Sequence, residues 1–306
     1  MEKVKYIKHN KIDFSKWDDV VLGSKYPLVF AQSFYLNATA GNWDALVIGD
    51  YDCVFPLTKK IKFGIKYLPQ PHFTSQLGAF GAVTPEREKM FFDFIINNFR
   101  LIEIELNASN KIESEYIRKK NTFMINYNEG YHQNQNAKRN ITKALNAGLH
   151  VEICNESEIE SNVNTFILTL LKQKLKLPNK ASDTYKELIN SAKTKGKLYS
   201  FKVIDNETNV HAFAQFISNG MHVVYLKGNH TDKFKTEGSM HLILNFAIEY
   251  FMDKAIIFDF GGGSLTEGLA EFYRGLGGKK FDYSFLQVNK LPTILNSIKS
   301  KKKKKF

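Results

Sequence analysis

Three consecutive glycines, Gly261 to Gly263, follow an apolar run of strand length, Ala255 to Phe260. Glycine tolerates backbone conformations and close approaches that a Cβ forbids, so the chain here must turn sharply where a ligand or a second backbone can come near. The segment continues through Ser264, a short helical stretch from Leu265 to Glu271, and Phe272-Tyr273-Arg274-Gly275-Leu276-Gly277-Gly278. Strand, glycine elbow, short helix and second glycine turn together describe a ligand-facing strand end. They describe equally a tight strand-to-helix connection with no ligand.

A chain of 306 residues with 43% hydrophobic and 13% aromatic content can fill one large or two ordinary cores. No apolar run approaches the roughly 18 residues needed to cross a bilayer. The amino-terminal Met1-Glu2-Lys3-Val4-Lys5 has no apolar signal core, so a cytoplasmic protein is expected. Cys53 and Cys154 form no Cys-x-x-Cys pair and read as free, packed thiols with no metal role. The formal charge is +12, but Lys299 and Lys301 to Lys305 lie in the last eight residues, and without them it is +6. A terminal lysine run reads as a solvated tail that would strengthen contact with RNA or acidic lipid.

Along the first half, Ile12 to Leu22 and Val29 to Tyr35 carry helical and aromatic anchors. Trp43 to Ile48 and Tyr51 to Leu57 flank Gly49-Asp50 as a hairpin. Gly64 to Phe80 reads as a long loop over a groove or a packed surface loop, and Pro85 to Asn98 as a helix. Leu101 to Leu106 alternates as a half-exposed strand, and Phe123 to Tyr127 is a further strand. Tyr131 to Leu145, if helical, sets Arg139 and Lys143 on one face, to meet solvent or an anion. In the second half, helices are expected over Glu156 to Leu177 and, capped by Ser182, over Ser182 to Ala192. Strands Lys197 to Ile204, Val210 to Ile217 and Met221 to Lys227 follow, then a loop, a helix Ser239 to Asp253, and the strand before the glycines.

That order looks like the acyl-CoA N-acyltransferase (GNAT) fold. The motif Phe258 to Ser264 with Gly268 to Gly278 resembles the closing motif of the FemABX-like peptidoglycan aminoacyltransferases and their GNAT-domain relatives. Tyr131 to Ala144 resembles the basic helix joining the halves of that group, and Pro56-Leu57, Gly64 to Tyr67 and Gln70-Pro71 resemble its first lobe. The resemblance implies an α/β (α+β) protein of tandem GNAT-like lobes, each a mixed, mostly antiparallel sheet flanked by helices. The lobes are expected over residues 1–150 and 151–290, with a basic tail over 291–306.

It also implies transfer of an acyl or aminoacyl group to an amine acceptor, with acyl-CoA or aminoacyl-tRNA as donor and tRNA as a candidate partner. Lys235-Thr236-Glu237-Gly238-Ser239 has one glycine where the pyrophosphate loop of CoA-dependent members has two, and the donor stays open. Acyl transfer needs a neutral amine, a polarised carbonyl and a held leaving group. The backbone near Tyr225 and Lys227 can serve the oxyanion, while Asp259 can orient a cationic substrate, accept a proton or bond the glycine-turn amides. Tyr273 and Arg274 can contact a phosphate or carboxylate. Lys235, Gly238 and Ser239 form either a phosphate site at a helix start or an ordinary cap. His211, His222 and His241 are candidate proton acceptors or structural residues. The other functional class is a ligand-binding protein that keeps the fold without turnover.

Overall fold

The computed structural model describes residues 2–174, 177–231, 238–261 and 266–292. In chain order the first half comprises β1 (Lys5–Ile7), α1 (Phe14–Leu22), α2 (Ser33–Ala40), β2 (Asp44–Ile48), β3 (Cys53–Leu57), β4 (Lys60–Lys62), β5 (Ile65–Pro69), β6 (Phe80–Gly81), α3 (Pro85–Asn98), β7 (Leu101–Glu105), β8 (Ile117–Asn126) and α4 (Gln135–Asn146). The second comprises β9 (His150–Ile153), α5 (Glu156–Glu158), α6 (Asn164–Thr169), α7 (Asn179–Thr194), β10 (Leu198–Ile204), β11 (Val210–Ser218), β12 (His222–His230), α8 (Ser239–Phe251), β13 (Ile257–Asp259), α9 (Glu267–Gly275) and β14 (Lys279–Asn289).

Local chemistry sets many of these bounds. The Thr84 hydroxyl accepts the Arg87 amide, Pro85 occupies the first helical position, and Glu86 and Glu88 sit at the positive end of the α3 dipole. Leu101 to Glu105 alternates half-exposed and buried residues, as a strand over a core must. Three expectations need correcting. Ile65–Pro69 is a strand and not loop, because Phe63 and Gly64 both take positive φ and close a two-residue hairpin with β4. The helix over Glu156 to Leu177 is broken into α-helical pieces and π-helical turns at Ile159–Val163 and Leu170–Lys174. Ser182 does not cap α7, which starts after Pro178; it lies on the buried face with Ala181 and Tyr185.

Strands β1, β2, β3 and β6 form a four-stranded sheet. The others form a ten-stranded sheet in the order β4-β5-β7-β14-β8-β13-β12-β11-β10-β9. Pairing is mostly antiparallel, with β5–β7 and β12–β13 parallel. The last strand, β14, inserts between β7 and β8, so the carboxy-terminal end of the described chain completes the first half's sheet.

The large sheet separates two cores. Ile217, Val224, Leu286 and Val288 point into one, with Trp17, Trp43, Phe30, Phe91, Tyr185 and Leu188. Phe216, Val223 and Phe258 point into the other, with Ile141 of α4, Ile243 and Phe251 of α8, and Tyr273 of α9. Residues on both sides of position 150 enter both cores.

Candidate active site

Strands β12 and β13 pair over only three positions, His222 with Ile257, Val223 with Phe258 and Val224 with Asp259. Beyond them the two part, and the end of β12 from Tyr225 keeps β11 on one side with no strand on the other among the described residues. A β-bulge falls at this point. Phe216 of β11 faces Tyr225 and Gln215 faces Lys227, leaving Leu226 as the extra residue. Strict alternation would put Tyr225 and Lys227 on one face of the sheet. The bulge instead sends Tyr225 against the Phe216 ring at 5.5 Å, in the second core, and Lys227 to the side of Gln215.

The Gln215 side is polar at depth. Fully buried Gln215 accepts the Tyr185 hydroxyl and donates to Asn164 Oδ1 (3.2 Å) and Ser200 Oγ (3.1 Å). The Phe73 ring meets Tyr185 edge-on at 5.5 Å, and the Tyr35 hydroxyl donates to the Phe73 carbonyl. The segment after β5 therefore packs between α2 and α7. Lys227 is half-buried and has no hydrogen-bond or ion-pair partner among the described residues; burial lowers the pKa of its ammonium.

Asp259 and His222 are both wholly buried. The Val29 amide donates to His222 Nδ1 (3.2 Å), which puts the ring proton on Nε2, 3.4 Å from Asp259 Oδ2. The other Asp259 oxygen accepts the Gly261 amide at 2.8 Å. Both functional ends of each side chain are thus engaged. His222 is not a base open to substrate, and Asp259 bonds a glycine-turn amide, one of the roles its position suggested.

Gly261 takes φ +83°, and a Cβ there would lie 2.9 Å from the Tyr225 carbonyl oxygen. This close approach brings the Asp259 turn to the bulge. Tyr273 stacks on Phe260 at 4.7 Å and is 5% exposed. Burial raises the Tyr273 pKa, helped by the Asp259 charge, and burial likewise raises that of Tyr225, helped by Tyr273 and Tyr185. Both phenols stay protonated at neutral pH and can donate hydrogen bonds.

No protein-family model and no curated protein matches the chain. Solved structures do. FemX superposes with a TM-score of 0.65 over 92% of this chain and 96% of its own, at 11% identity. The C-terminal domain of a putative lysylphosphatidylglycerol synthetase from Agrobacterium fabrum gives 0.56, over 90% and 92%, at 9% identity. A tandem GNAT protein from the clavulanic acid biosynthesis pathway gives 0.52, over 95% and 100%, at 9% identity. The chain has the tandem GNAT fold.

Within this tandem GNAT fold, Tyr225 and Tyr273 face the second core beside the parting of β12 and β13, while Asp259, in register with Val224, faces the first core with His222. Lys227 lies across the sheet from Tyr225. Arg274 points outward, its guanidinium 5.6 Å from the Phe123 ring and 3.9 Å from Glu267. Gly238, and not Ser239, is the N-cap of α8, and Ser239 is buried. Lys235 lies outside the described residues. The α8 start abuts α4, whose outward face carries Lys138, Arg139 and Lys143 around a shallow groove of about 500 Å³.

The remaining histidines stand apart from the bulge. His211 bonds Asp205 at 3.1 Å at the β10–β11 turn. His241 meets the Phe272 ring at 4.7 Å, and burial lowers its pKa. Cys53 and Cys154 are free and buried, their thiols pushed up to about 12. Sequence reasoning did not single out Gln215, Tyr185 or Tyr35. The signal for Gln215 was present, as a polar residue inside the apolar run Ala212 to Ile217. Tyr185 carries no local signal, and Tyr35 reads only as an aromatic anchor of Val29 to Tyr35.

Proposed function

We propose that the protein is an N-acyltransferase whose reaction takes place where β12 and β13 part. The observation that carries this reading is the bulged, one-sided end of β12 beside the buried Tyr225 hydroxyl. In the proposed step the acceptor nitrogen bonds to the donor carbonyl carbon while the bond to the leaving oxygen or sulfur breaks. Backbone amides at Leu226 and Lys227 meet the developing oxyanion. The Tyr225 hydroxyl donates its proton to the leaving group and is reprotonated from the ammonium formed on attack. Lys227, with no partner among the described residues, holds an anionic part of a substrate on the opposite side of the strand. The basic face of α4, next to the start of α8, gives a polyanionic donor a place to lie, which suits aminoacyl-tRNA as well as acyl-CoA.

Radiolabelled acetyl-CoA and aminoacyl-tRNA offered separately with a panel of amines test the reading. Transfer from either donor is expected, and Tyr225→Phe should lower kcat by about 10²-fold with an unchanged melting temperature. Full activity in Tyr225→Phe would remove the acid role. Binding seen as a rise in melting temperature, with no transfer from either donor, would favour the ligand-binding class instead.

A further inference from the structure

The hairpin of β4 and β5 forms one edge of the ten-stranded sheet and serves neither core with its tip. Ile61, in β4, is 64% exposed, and Phe63, the first residue of the turn that follows, 74%. Phe63 holds φ +51° and Gly64 φ +72°. Asparagine, aspartate or glycine adopts such a turn with less strain than a bulky aromatic, so Phe63 occupies it against backbone preference. Its one described ring contact is the Lys62 ammonium at 5.4 Å.

The surroundings are basic. From Thr58 to Pro69 there are four lysines and no acidic residue. Lys59 is engaged by Asp44 and Lys60 by the Ala40 carbonyl (2.6 Å), while Lys62 and Lys66 face solvent. The same end of the strands continues through exposed Arg100, whose amide bonds the Lys66 carbonyl (3.2 Å), to Lys290, whose amide bonds the Arg100 carbonyl (2.7 Å). The described chain stops at Pro292, and the sequence beyond it carries Lys299 and Lys301 to Lys305. Lys290, near the last described residue, therefore lies at the end of the molecule that displays the apolar hairpin tip.

We propose that this end docks on an anionic lipid bilayer, with Phe63 and Ile61 entering the headgroup region and the surrounding lysines meeting lipid phosphates. An apolar tip ringed by cations supplies the two weak signals, one apolar and one electrostatic, that reversible membrane attachment needs. This inference is independent of the acyl-transfer reading. RNA would use the cations but gives aliphatic Ile61 nothing to bury against.

Sedimentation of the full chain with phosphatidylcholine–phosphatidylglycerol vesicles and with phosphatidylcholine vesicles tests it. Binding to the mixed vesicles alone is expected, and Ile61→Ser with Phe63→Asn should weaken it by about tenfold or more. Phe63→Asn relaxes the turn, so its melting temperature should stay or rise, which separates lost docking from lost folding. Phe63→Trp places an indole outside the buried Trp17 and Trp43, and its emission should shift to the blue on mixed vesicles. The proposal fails if the protein does not sediment with mixed vesicles, if the double variant binds as well as the parent, if the new indole does not shift, or if RNA displaces the protein without dependence on Phe63.

Discussion

Gly238 has no room for a side chain. A Cβ there would sit 2.3 Å from the Asn140 carbonyl oxygen, and its φ is +75°. Gly238→Ala is expected to cost about 1–3 kcal/mol in urea denaturation, by clash and by left-handed backbone. At Asp205 the amide of Asn209, then His211, hold the carboxyl well below the usual carboxylate range. A lowered folded-state pKa gives stability that is fully present above the unfolded value of about 4 and is lost as pH falls toward the folded value. Asp205→Asn should therefore narrow the gap between urea midpoints measured at about pH 7 and about pH 2.5. An unchanged gap would mean that other carboxylates set the acid sensitivity. These single positions were only partly readable beforehand, since the sequence marks a glycine or an aspartate but not the carbonyl or amide it meets.

At the scale of elements, the helix α3 and the strands β2, β3, β10 and β11 were legible because their periodicity, caps and turns are local. The faces of β12 were not. One inserted residue, Leu226, reverses the outlook of Lys227 relative to Tyr225, and nothing in Tyr225-Leu226-Lys227 announces a bulge. At Gly261 the expected close approach is made by the Tyr225 carbonyl, while Gly262, Gly263 and Ser264 lie outside the described residues. The His222–Asp259 pair joins three elements, since the 3-10 turn Val29–Ala31 of the first half donates to the imidazole that bonds β13. His222→Ala leaves a buried carboxylate short of a partner and should cost about 3–5 kcal/mol in urea denaturation. A cost under about 1 kcal/mol would show that the Gly261 amide satisfies Asp259 by itself.

For the whole molecule, the ten-stranded sheet carries strands from both halves, and β14 returns to lie between β7 and β8. Unfolding one half would strip partners from the other. A single cooperative transition is therefore expected, with Trp17 and Trp43 fluorescence, which reports the first core, coinciding with far-ultraviolet circular dichroism. Two separated transitions would show that the halves fold as independent units.

The sequence by itself determined the α/β class, the helices α3, α4 and α8, the strands β2, β3, β7 and β10 to β13, the fold resemblance and Gly261 as a place of close approach, because each follows from residue type and short-range spacing. Only the tertiary structure decided that β14 closes the first half's sheet, that Tyr225 and Lys227 look to opposite faces, that His222 and Asp259 spend their polar atoms on each other and on backbone amides, and that Phe63 stands clear of both cores. Strand register, burial and hydrogen-bond pairing join residues far apart along the chain, and local preference does not carry that information.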